Sequence, residues 1–230
     1  MESLSWLRFN ISAASPEAYR RIHRSDAFAV ALEKIRHCVA VKRRGGLPVT
    51  IGLQLVLVPD TIDQVVPLAR LGRDLGVDYL VIKQCSDTVE NTLGVFSRLG
   101  EYEQYAGTLA EAEAMSGQGY EVIVKWRKVT NQGRRPYERC LGVPFLLYSS
   151  GDGKLYPCGM FFQHREAEFR MGDLVEQSFR EIVESDRYWD VVERVREIDV
   201  RRECYTNCRT DAVNGFLWTL THPPEHVNFI

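Results

Sequence analysis

The chain has 230 residues, 45% hydrophobic and 26% charged, with a formal net charge of −2. That balance is ordinary for a globular protein of one large domain or two small ones, and the short basic clusters Lys42-Arg43-Arg44 and Arg134-Arg135 give no nucleic-acid signature. No apolar run approaches the roughly 18 residues of a membrane span. Met1-Glu2-Ser3-Leu4-Ser5 lacks the basic-then-apolar pattern of a signal peptide, so a cytoplasmic protein with neither membrane nor nucleic-acid partners is expected.

Leu4 to Ser12 alternates, with Leu7, Phe9 and Ile11 on one face and Arg8, Asn10 and Ser12 on the other, which predicts a strand. Ser15-Pro16-Glu17 opens a helical turn, because Ser caps well and Pro is tolerated at the first helical position. Phe28 to Lys42 is helical by spacing and stops at Gly45-Gly46. Val49 to Val58 is a nearly continuous apolar run, the mark of a strand buried on both faces of a parallel sheet. A helix over Thr61–Leu75 and a strand over Val77–Lys83 complete three βα-type units, which pair in parallel through right-handed crossovers. Three such strands cannot close a barrel, so an open apolar edge is expected.

Glu101 to Met115 reads as a helix and Tyr120 to Lys128 as a strand. The Arg-, Gly- and Pro-rich stretch Thr130–Arg139 is the best linker, dividing the chain into domains 1–129 and 130–230. Beyond it the pattern predicts a hairpin turning at Gly151-Asp152-Gly153, a helix from about Leu174 to Glu184, and a charged helix ending near Arg202.

The chemistry lies in the cysteines. Of the six, Cys140, Cys158, Cys204 and Cys208 follow the spacing C-x17-C-x45-C-x3-C. In a reducing compartment such a grouping points to metal before disulfides. Four thiolates suit either tetrahedral Zn²⁺ or a [4Fe–4S] cluster, and the absence of tight C-x2-C pairs leans toward the cluster. Cys38 shares a helical stripe with Ile35 and reads as core, and Cys85 is a lone thiol. His222 and His226, four apart in a Pro-rich tail, are a weak metal signal.

The stretch Cys140 … Ser150-Gly151-Asp152-Gly153-Lys154-Leu155-Tyr156-Pro157-Cys158 resembles the start of the SPASM/twitch domain of radical S-adenosylmethionine enzymes. Arg170-Met171-Gly172-Asp173-Leu174 with Phe179-Arg180-Glu181-Ile182 resembles its middle segment, and Cys204-Tyr205-Thr206-Asn207-Cys208 its closing cysteine pair. Trp6 to Tyr19 is similar to the fourth barrel strand of those enzymes and its following loop, although Asn-Ile-Ser-Ala stands where many carry Ser-x-Asp-Ala.

The resemblance implies an α/β fold: the last three βα units of a partial radical-SAM-type barrel, then a small α+β domain with an auxiliary cluster. It would put Asn10 and Ser12 near the methionine or ribose of S-adenosylmethionine. Gln54, the one polar side chain in an apolar strand, and Lys83, at a strand's C-terminal end, are further candidates for the cofactor face, with a local structural bond as the other reading of Gln54.

The family's Cys-x3-Cys-x2-Cys loop is absent from these 230 residues. The chain alone is therefore expected not to cleave S-adenosylmethionine, which it would meet only if an N-terminal barrel half were supplied. That half, or a second copy, would dock at the open edge, and the substrate would be a peptide or small molecule. The other reading of the same residues is a non-enzymatic zinc- or cluster-binding module that docks to a separately encoded partner.

Overall fold

A computed structural model describes residues 1–86, 94–131, 133–205 and 207–225. The chain divides into two compact units: residues 1–85 with 94–132, and residues 86–93 with 133–230.

The first unit is built on a parallel sheet. β1 (Trp6–Asn10), β2 (Thr50–Leu57), β3 (Tyr79–Gln84) and β4 (Glu121–Val124) lie in that order. Asn10 is paired with Gln54, Gln54 with Val81, and Val56 with Lys83. Helices α1 (Pro16–His23), α2 (Phe28–Gly45), α3 (Val65–Leu75) and α4 (Ala106–Glu113) connect the strands. Ser15 caps α1 by accepting from the Ala18 N–H at 3.2 Å, with Pro16 at the first position as the sequence implied.

Side chains alternate across a strand, and register partners in parallel strands share a face. One row, Ile51, Leu53, Leu55 and Leu57 with Leu80, Ile82, Val122 and Val124, joins Phe28, Leu32, Ile35, Leu68 and Leu109 from the helices in one core. The opposite row carries Arg8, Asn10, Gly52, Gln54, Tyr79, Val81 and Lys83. The connection after β2 begins as a 3₁₀ segment, Pro59–Gln64, fixed by Thr61, whose hydroxyl accepts from the Val58 N–H at 3.1 Å. The helix expected from Thr61 therefore becomes α-helical only at Val65.

The strand expected over Tyr120–Lys128 is shorter. β4 ends at Val124, and α5 (Trp126–Thr130) follows, with the Trp126 indole N–H donating to Glu113 at 2.9 Å. β4 joins the sheet as a fourth parallel strand.

The second unit holds a small antiparallel sheet of β5 (Tyr148–Ser149), β6 (Lys154–Tyr156) and β7 (Gly172–Asp173). Gly153 takes a positive φ of 85° in the turn, as a residue without Cβ can. Helices α6 (Glu166–Phe169), α7 (Phe179–Val183), α8 (Asp186–Arg196) and α9 (Asp211–Thr221) surround it. The helix expected from Leu174 starts only at Phe179, because Ser178 and Glu181 form a capping box there and residues 174–177 turn around Asp173. α8 stops at Arg196, short of Arg202, and α9 follows over a stretch where the sequence pattern predicts no element. Phe161 and Phe169 stack 3.8 Å apart in a core with Leu155, Ile182 and Val191. Among the described residues no helix is long and apolar enough to cross a membrane.

Candidate metal centre

The cysteines reach one place from three parts of the second unit. Cys140 sits on the loop before the hairpin, Cys158 just after β6, and Cys204 and Cys208 in the turns between α8 and α9. All four line a single cavity of about 500 Å³, walled also by Val143, Met160, Phe161 and Ile198. Each is a free, half-buried thiol. Among the described residues no three His, Cys, Asp or Glu side chains already form a set that could hold a single metal ion.

The thiols differ in charge. Burial pushes Cys158 up to about 11 and, together with nearby Cys208, raises Cys140. Cys204 donates to Cys208, which brings Cys208 down to about 6 and raises Cys204 in return. Cys208 is thus the most acidic of the four, and a bound cationic group would draw protons from the others.

A shell of polar side chains holds these loops. The Arg135 guanidinium donates to the backbone carbonyls of Val200 and Tyr205, on either side of Cys204, and lies 5.9 Å from the Tyr137 ring. Burial works against its charge, and Cys204 and Tyr137 beside it more than offset that. Tyr137 donates to Asp211 at 2.9 Å. Asn214, only 1% exposed, accepts from the Leu141 and Gly142 N–H groups at 2.7 Å each. Neither Arg135 nor Asn214 stood out in the sequence: a lone Asn in a helix has no spacing to mark it, and Arg135 sits in a stretch that reads as a linker.

The candidates of the first unit are not gathered in the same way. Asn10 is exposed at the end of β1. Gln54 beside it is only 7% exposed, and its Oε1 has no hydrogen-bond partner among the described residues. Lys83 is half-buried in the same row, so Lys83 and not Gln84 shares the face of Gln54; Gln84 turns to the Leu57 side. Ser12 lies past the end of β1, buried, with its hydroxyl accepting from the Val56 N–H at 3.1 Å and its own N–H donating to His23 Nε2 at 3.0 Å. Cys38 and Cys85 pack against the core. His222 stacks on Trp218 at 3.8 Å, and its expected partner His226 lies outside the described residues.

Residues 146–210 match a family model described as SPASM, an iron–sulfur cluster-binding domain. The match takes in Cys158, Cys204 and Cys208 and leaves Cys140 outside it. A structure titled "Native anSMEcpe with bound AdoMet" superposes over 94% of this chain with a TM-score of 0.50 at 10% sequence identity, and the chain spans 66% of that protein's length. No curated protein matches the chain. The domain match falls within the second unit, and the likeness in fold extends over nearly the whole chain. More particularly, the second unit carries an iron–sulfur domain of the SPASM class, and its cavity is the place in that unit where the thiols meet.

Proposed function

We propose that this chain is the cluster-bearing C-terminal portion of a radical S-adenosylmethionine enzyme, a partial βα barrel over about residues 1–129 followed by a SPASM/twitch-like domain over 130–230. Cys140, Cys158, Cys204 and Cys208 hold an auxiliary [4Fe–4S] cluster. The observation that carries this reading is that four thiols from three loops line one cavity of about 500 Å³. A zinc ion with Zn–S bonds of about 2.3 Å needs far less room. Such a cluster, when bound, supplies one-electron redox chemistry, and four thiolates leave none of its irons open to a ligand, which favours electron transfer over direct coordination of substrate.

The chain's own residues set the conditions. Cys208 offers the first thiolate, Arg135 places a fixed positive charge beside the closing pair, and Met160 and Phe161 exclude water from one wall. In the first unit, Asn10, Gln54 and Lys83 share one sheet face and Ser12 follows β1. The unmet Gln54 acceptor supports a polar ligand on that face, which we assign to S-adenosylmethionine.

No Cys-x3-Cys-x2-Cys triplet occurs in these 230 residues, so a catalytic cluster would be held by residues outside them. An N-terminal barrel half aligned along the edge of β1, where Trp6 is 57% exposed, would supply it; a second copy docked at that edge would lack the triplet as well and could only cover the edge. The substrate is a peptide or small molecule. The reading is tested by giving anaerobically reconstituted protein S-adenosylmethionine and dithionite. It requires a bound cluster and no 5′-deoxyadenosine from the chain alone; deoxyadenosine above the protein-free control overturns it.

A further inference from the structure

Cys140 lies outside the segment that matches the iron–sulfur domain, on the loop before the hairpin. Something must bring it to the cavity, and the side chain that touches its loop is Asn214. Asn214 lies on α9, its backbone N–H donating to the Thr210 carbonyl at 2.8 Å. Its Oδ1 accepts from the Leu141 and Gly142 N–H groups at 2.7 Å. Backbone N–H groups only donate, so this end of the carboxamide is fixed as oxygen and the other as NH₂. Nδ2 then reaches Cys140 Sγ at 3.8 Å and the Thr210 hydroxyl at 3.3 Å.

The Thr210 oxygen in turn lies 3.2 Å from Cys208 Sγ. With Nδ2 donating to that oxygen, the Thr210 hydrogen is left for Cys208. The first and last thiols therefore each face a hydrogen from one connected pair of side chains. Space confirms the fit, since a Cβ on Gly142 would come within 2.9 Å of Thr210 Cβ and 3.2 Å of Asn214 Oδ1.

We propose that Asn214 is the positioning residue of the metal centre: it clamps the Cys140 loop onto α9 and, with Thr210, donates hydrogen bonds to the Cys140 and Cys208 sulfurs. This rests on the cluster reading above. Hydrogen bonds to cluster sulfurs stabilise the more negative, reduced state, so the pair raises the reduction potential. Buried amides that satisfy two backbone donors are costly to remove.

The experiment compares wild type, Asn214→Asp, Asn214→Leu, Thr210→Val and Thr210→Ser, each purified without oxygen and first checked for folding by circular dichroism. Iron and sulfide content and the midpoint potential are read on the loaded protein. The rate of Cys140 alkylation, read on its peptide by mass spectrometry, is taken on the cluster-free protein. Thr210→Val keeps its iron and shifts the potential to more negative values, while Thr210→Ser restores it. Asn214→Leu loses iron and alkylates at Cys140 about tenfold faster than wild type, as expected when a buried hydrogen-bonded loop is released. Asn214→Asp keeps the clamp oxygen but puts an acceptor against sulfur, and it loses iron or drops in potential. A wild type that binds no iron sinks the cluster reading and leaves the alkylation rates to judge the clamp. Unchanged iron, potential and alkylation across folded variants overturn the clamp itself.

Discussion

The Gly142 N–H donates a 2.7 Å hydrogen bond to Asn214 Oδ1, joining the loop after Cys140 to the helix after Cys208. The whole cysteine site is assembled in this manner, with short loops carrying the thiols and long-range polar side chains closing them around one cavity. Arg135 performs the same task for the closing pair by spanning the Val200 and Tyr205 carbonyls.

Arg135→Gln should lower both the iron bound per chain and the thermal midpoint, because two carbonyls and the charge beside Cys204 lose their partner. Arg135→Lys should rescue poorly, since a single ammonium on a flexible stem does not reproduce the planar fork that bridges two acceptors. Iron analysis and a melting curve on the two variants check this; full rescue by Lys would show that charge alone suffices.

Gln54→Leu should leave the isolated chain as stable as wild type or stabilise it by about 1 kcal/mol, since it deletes a buried acceptor that has no partner among the described residues. Urea unfolding measures it. Most substitutions of a residue buried in a central strand destabilise, so a gain here would mark Gln54 as kept for a ligand. A loss of 2 kcal/mol or more, taken as an order-of-magnitude threshold for a buried bond broken, would give it a structural role instead.

Gly52 sits under the Tyr79 ring, where an added Cβ would lie 2.1 Å from the nearest ring atom. Gly52→Ala should cost about 1–3 kcal/mol through forced displacement of that ring. The double variant with Tyr79→Ala should recover part of the loss, which a double-mutant cycle in urea resolves.

His23 gives the first unit an acid-sensitive contact. Burial lowers its pKa, and Nε2 accepts from the Ser12 N–H, so the folded state holds the ring neutral. A base whose folded pKa is depressed takes up more protons when unfolded. Its contribution is therefore complete above the ordinary histidine value of about 6.5 and is lost as pH falls through the lower folded value. Unfolding free energies between pH 7.5 and 5 should fall in wild type and fall less in His23→Gln; equal slopes would remove His23 from the acid response.

Much of the first unit was legible because its physics is local. The apolar run Val49–Val58 announced a parallel strand buried on both sides, and β2 is that strand. The division of Tyr120–Lys128 into strand and helix was not legible, since it depends on Trp126 finding Glu113 across 13 residues. The Ser178–Glu181 capping box could have been read from spacing and would have corrected the start of α7. The four cysteines singled out by spacing line one cavity. Asn214 and Arg135 were not singled out, because a residue that acts by satisfying distant backbone groups leaves no periodic trace.

The central claim is that Cys140, Cys158, Cys204 and Cys208 hold one iron–sulfur cluster. The most direct measurement is iron, zinc and acid-labile sulfide analysis with an absorption spectrum on anaerobically purified wild type and Cys158→Ala. The account requires a brown wild type with about four irons and four sulfides per chain, and their loss in the variant. A colourless wild type carrying one zinc or no metal would contradict it.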